Sequence, residues 1–219
     1  MRLIVKFGKL GRLRFISHLD LQRFMQMALR RSGLPVAYSQ GFNPHPIMSF
    51  ASALAMGVSS ECELLEMRMA EKITAQEGLE GMRSALPPEM PVYAARLVDD
   101  AHPALMSMLS YAEYDIRMPN GEKVLDEIER YMAETEVIAM RKTKSGEKPA
   151  NIRAMTRTLE RDGDGMHAIL QLTEANTLKP DLLIRTLAER AGVETPEVRC
   201  HRLALYAQKK EQLVDLFKV

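Results

Sequence analysis

The chain has 219 residues, 46% hydrophobic and 27% charged, with a net charge of +1. This is the balance of a folded globular protein with one large core or two small ones. No run approaches the roughly 20 consecutive apolar residues of a membrane helix, and the opening MRLIVKFGKLGRLRF, broken early by Lys6, does not read as a secretory signal. Cys62 and Cys200 lack metal-ligand or redox spacing and fit reduced, partly buried thiols, so a cytoplasmic protein without a membrane partner is expected.

In chain order, RLIVKF reads as an opening strand. Leu19 to Ser32 reads as a helix, with Leu21, Phe24, Met25, Ala28 and Leu29 on one face and Gln22, Arg23, Gln26 and Arg30 on the other. Ser17 and Asp20 make a capping-box-like start, and Gly33 a stop. A strand around Ile47–Leu54, a segment Cys62–Met69, a helix from Thr74 to Ala85 and a strand Val92–Val98 follow, with Pro87, Pro88 and Pro91 punctuating the last junction. That order is the split βαβ of ferredoxin-like folds.

The second half repeats it in form. Tyr111–Met118 predicts a strand, Glu122–Ala133 a helix and Val137–Lys142 a strand, followed by a basic connection. Ile152–Leu159 and His167–Leu172 predict a hairpin around Asp162-Gly163-Asp164-Gly165. Pro180–Ala191 predicts a helix with Pro in its first turn and Gly192 past its end, and Val198–Tyr206 closes the set. The fold expected is α+β: two ferredoxin-like halves with antiparallel sheets, residues 1–98 and 109–219, joined by a linker at 99–108. Of the 16 methionines, Met25, Met67, Met69 and Met140 fall at positions that suit a core.

Charge is unevenly spread. Residues 1–60 carry Arg2, Lys6, Lys9, Arg12, Arg14, Arg23, Arg30 and Arg31 against the single acid Asp20, while residues 61–140 are strongly acidic and the remainder mildly basic. Such asymmetry suggests an anionic partner. The informative stretch is residues 14–58, RFISHLDLQRFMQMALRRSGLPVAYSQGFNPHPIMSFASALAMGV, which sets polar side chains around two loops flanking one helix. Arg14, Ser17, His18 and Asp20 lie at or just before the start of the first helix, and Ser39, Gln40, Asn43, His45 and Ser49 follow it. In the loop Gly41-Phe42-Asn43-Pro44-His45-Pro46, Gly41 permits a backbone closed to other residues and the two prolines fix φ. That holds Asn43 and His45 at set angles and leaves Phe42 for stacking.

The segments RFISHLDLQR, ALRRSGLP, AYSQGFNPHP and SFASALAMGV resemble those of the radical SAM-linked protein family, a group defined by a domain of unknown function. RKTKSGEKPANIRAM and VRCHRLALY resemble its second half. The resemblance implies association with a radical SAM enzyme, sometimes as a fused domain, and brings no established reaction. Gln40 and Ile47 depart from the family's usual residues on either side of the Gly-Phe-Asn-Pro-His-Pro loop, which speaks against a catalytic role for those two.

Two cysteines cannot supply the three closely spaced thiolates of a radical SAM cluster, so the chain is at most that enzyme's partner. His18, Asp20 and His45 are metal-ligand types, but Asp20 has a competing role at a helix start, and no metal or other cofactor is expected. No Gly-rich phosphate loop, nucleophile elbow or metallohydrolase helix occurs, and no residue is assigned a catalytic role. RNA is a candidate ligand, since ferredoxin-like sheets often bind it. Its basic contacts would be Arg14, Arg23, Arg30 and Arg31, with a second run of Arg141, Lys142, Lys144, Lys148, Arg153 and Arg157; the aromatic signature of RNA-recognition sheets is missing. The binding residues expected are therefore Arg14, Ser17, His18, Asp20, Ser39, Gly41, Phe42, Asn43, His45, Arg30, Arg31, Lys142, Lys144 and Arg153. The function expected is that of a non-catalytic accessory protein of a radical SAM enzyme that binds or presents RNA. The alternatives are an RNA-acting enzyme using His18, Asp20 and His45, and a pure protein adaptor.

Overall fold

The computed structural model describes residues 1–143 and 146–219. It is an α+β protein whose strands pair mostly antiparallel and which divides into two compact units, Met1–Leu109 with Ala207–Val219, and Ser110–Tyr206.

In the first unit the elements are β1 (Arg2–Lys9), α1 (His18–Arg31), β2 (Met48–Phe50), β3 (Ser59–Arg68), α2 (Ala75–Ala85), β4 (Val92–Val98) and the short α3 (Leu105–Met108). β4 pairs β1, β1 pairs β3 and β3 pairs β2, the sheet order of a split βαβ. Apolar alternation places Leu3, Val5, Phe7, Leu65, Met67 and Phe50 on the face that packs Leu21, Met25 and Leu29 of α1 and Met82 of α2. Leu21, Met25, Ala28 and Leu29 are the buried positions of α1, spaced for one helix face. Thr74 and Glu77 close a reciprocal capping box at the start of α2. Strand β2 is shorter than the Ile47–Leu54 expected, because the chain bends after Phe50. The 99–108 stretch is no plain linker, since it contains α3, whose Leu105 is buried.

The second unit runs β5 (Leu109–Arg117), α4 (Glu122–Leu125), α5 (Ile128–Ala133), β6 (Ile138–Thr143), β7 (Gly146–Asn151), β8 (Thr156–Asp162), β9 (Gly165–Gln171), α6 (Pro180–Ala191) and β10 (Arg199–Lys209). Its sheet order, β10-β5-β9-β8, is again that of a split βαβ, with β6 and β7 forming a separate two-stranded ribbon. Three expectations are corrected here. The helix expected over 122–133 is two short ones, broken at Asp126 and Glu127. The basic connection after β6 includes a strand, β7. Ile152–Met155 is a turn, because the Asn151 Oδ1 accepts from the backbone N–H of Val137, Arg153 and Ala154 at 3.1, 3.1 and 3.3 Å.

The closing residues return to the first unit, rather than completing the second half as the division at 109–219 has it. Lys210 turns the chain with φ of 55° into β11 (Gln212–Asp215), which pairs β10. Leu216 beyond it is fully buried. The Val219 carbonyl accepts from Arg96 Nη2 at 2.6 Å and lies 3.0 Å from His102 Nε2. Met25, Met67 and Met69 are buried as expected, but Met140 is 46% exposed. Both cysteines are buried. No helix among the described residues is long and apolar enough to cross a membrane.

Candidate functional site

The first polar loop is built from a buried lysine outward. Lys9 ends β1 with no exposed surface, and its Nζ donates to the Ile16 carbonyl at 3.0 Å, holding the turn of residues 11–15 against the sheet. Arg14 lies with its guanidinium 4.5 Å from the Phe15 ring centroid, and its carbonyl accepts from the Gly57 N–H at 2.9 Å. Ser17 is the N-cap of α1: its Oγ accepts from the Asp20 N–H at 3.1 Å and donates to the Asp20 carboxylate at 2.7 Å. Arg23 takes the other carboxylate oxygen at 3.5 Å. His18 turns inward instead. Its ring meets Phe50 edge-on at 5.3 Å, and its Nδ1 is buried without a hydrogen-bond partner among the described residues.

The second loop is a small hairpin. Tyr38 bridges Pro46, the Ser39 N–H donates to the His45 carbonyl at 2.9 Å and the Ile47 N–H to the Ala37 carbonyl at 2.8 Å. Ser39 Oγ accepts from the His45 N–H at 3.1 Å and lies 3.0 Å from His45 Nδ1, which is also 3.4 Å from the Asn43 carbonyl. Gly41 has φ of 122°, a conformation that side-chain-bearing residues rarely adopt. Braced by Ser39 and His45, the loop leaves Phe42 at the tip fully exposed.

Asp20 is thus committed to Ser17 and Arg23, and His45 to Ser39 and Asn43, each within its own loop. The two loops are linked through the sheet, where His18 packs on Phe50, the last residue of the strand the second loop runs into. Among the described residues no group of three or more His, Cys, Asp and Glu side chains is placed to hold a metal ion.

Arg23, Arg30 and Arg31 are exposed on α1, with Arg31 reaching the Ala85 carbonyl at 3.4 Å. Lys142 is exposed on β6, and Lys144 lies outside the described residues. Arg153 serves the fold. Its guanidinium donates to the Met132 carbonyl at 3.1 and 3.3 Å and the Thr156 carbonyl at 3.0 Å, tying the end of α5 to the start of β8. Sequence reasoning missed the ion pair of Arg2 and Glu66, 2.6 Å apart with side chains 13% and 9% exposed. It borders a cavity of about 450 Å³ lined by Ile47, Ser49, Arg68 and Asp100 as well. The signal for it in the sequence was a basic residue opening β1 and an acid set among the apolar residues of β3.

These features define a two-unit α+β protein of split βαβ topology whose first unit exposes Phe42 at a loop tip and Arg23, Arg30 and Arg31 on α1. The chain belongs to the family described as uncharacterized protein conserved in bacteria (DUF2344), whose model matches residues 2–182. No curated protein matches it.

Proposed function

We propose that this chain is a non-catalytic accessory protein that associates with a radical SAM enzyme in the cytosol and presents RNA to it. The observation that carries the reading is Phe42, wholly exposed at the tip of a loop braced by Ser39 and His45. An aromatic held in water by a braced loop is suited to stack on an unpaired base. The arginines of α1 supply phosphate contacts. The enzyme partner is inferred from the resemblance of residues 14–58 to the radical SAM-linked family. The accessory role fits Asp20, whose carboxylate is engaged by Ser17 and Arg23, and His45, whose Nδ1 faces Ser39 and the Asn43 carbonyl.

A second reading, an RNA-acting enzyme using His18, Asp20 and His45, draws on the unbonded His18 Nδ1. Affinity purification of the tagged chain from its native cells, with bound protein and RNA identified, tests both. Recovery of a radical SAM enzyme and of RNA is the expected result. Recovery of a protein partner without RNA would favour the adaptor reading, and RNA processing by the purified chain, lost in His18→Ala, would favour the enzyme.

A further inference from the structure

The second unit contains a groove of about 800 Å³ between the β6–β7 ribbon and α6, within the size range of ligand sites. β6 contributes Met140, Arg141 and Lys142, and α6 with its preceding residue contributes Lys179, Leu182 and Arg185. The wall is fixed by the arginines. Arg141 donates to the Thr177 and Ala175 carbonyls, both at 3.4 Å, and Arg185 to the Met140 carbonyl at 3.5 Å. The ammonium groups of Lys142 and Lys179 form no hydrogen bond or ion pair among the described residues. A groove wall that commits its arginines within the protein and leaves the ammonium groups of two lysines without a hydrogen bond or ion pair among the described residues is arranged for an anion from outside.

The rest of the groove describes that anion further. Met140 and Leu182 on the lining give the groove an apolar patch, with Met140 46% exposed, which a flat apolar ligand surface would cover. Glu174 and Asp181 also line the groove, and carboxylates there would repel a plain polyanion while accepting from exocyclic amino groups, as acids do from cytosine. Phosphate, flat apolar surface and amino donors occur together in a nucleotide.

We infer that this groove binds nucleotide units of single-stranded RNA, with phosphates on Lys142 and Lys179, a base against Met140 and Leu182, and its amino groups on Glu174 or Asp181. The inference rests on the RNA-presenting reading above and adds a contact on the second unit to the one at Phe42.

The test is fluorescence anisotropy of a labelled mixed-sequence RNA octamer against the whole chain, titrated with salt. Lys142→Ala with Lys179→Ala should weaken binding at least tenfold. It should also lower the salt slope by about 1.4, since each phosphate contact on a single strand contributes about 0.7. Met140→Ala should weaken binding severalfold and leave the slope unchanged. All three positions are on the groove lining, and unchanged circular dichroism and melting would confirm that the variants fold. If wild type binds and both variants bind equally well, the groove is overturned while the RNA reading survives on the first unit. If wild type binds no RNA at low salt, the RNA reading fails and the groove with it. Competition by polyphosphate as strong, charge for charge, as by unlabelled RNA would also overturn the inference, because charge alone would then be read.

Discussion

Cys200 lies on β10 with 8% exposure, and burial pushes its thiol up to about 12 from an ordinary value of 9.0. Between those values the unfolded chain releases a proton that the folded chain holds. The contribution is therefore complete below about pH 9 and is lost as pH rises toward 12. Urea midpoints at pH 7.5 and 10.5 should fall more for wild type than for Cys200→Val, and parallel falls would assign the alkaline loss to other groups. Phe42 tests function without testing stability. Its side chain covers nothing, so Phe42→Ala should leave the melting temperature unchanged. If a base stacks on it, RNA binding should lose about 1–3 kcal/mol; a lower melting temperature would show that the ring packs its own loop.

At the scale of single elements, two turns are set by named residues. Replacing Ser17 with Ala removes the side-chain acceptor for the Asp20 N–H and should cost about 1 kcal/mol by urea titration, whereas Ser17→Asp, which restores an acceptor, should recover most of it. The β8–β9 hairpin has less tolerance. A Cβ on Gly165 would lie 2.2 Å from the Ile116 carbonyl oxygen, a backbone atom of β5. Arg117 clamps the same turn through the Asp162 carbonyl at 2.9 Å and the Asp162 carboxylate at 2.5 Å. Gly165→Ala should therefore destabilise by at least the roughly 1–3 kcal/mol of an overpacked core, and a loss well below that would mean the β5–β9 register yields easily.

Across the whole molecule, what was legible in the sequence tracks how local its cause is. β4 and α6 fall on their expected residues, and α2 on its expected span with Thr74 as cap, because periodicity, caps and proline positions act within a few residues. β7 was hidden because GEKPAN lacks branched and aromatic residues, and its strand exists only through pairing with β6. Each polar loop could be read as a cluster, but which groups bond one another is settled by backbone turns such as the Ser39–His45 bridge. The return of residues 207–219 to the first unit depends on long-range contacts that no local pattern signals. It is also where the last prediction belongs. Leu216 has no exposed surface, so Leu216→Ala should cost about 2–5 kcal/mol. Arg96, whose charged form burial disfavours, gives a hydrogen bond to the Val219 carbonyl and lies 5.7 Å from the Phe217 ring centroid. Removing residues 207–219 withdraws both contacts and the buried leucine together. Hydrogen exchange should then lose protection in β1 and β4, which hold the first unit, before it is lost in β8 and β9. Loss in β8 and β9 first, or protection unchanged everywhere, would overturn the assignment of the closing residues to the first unit's stability.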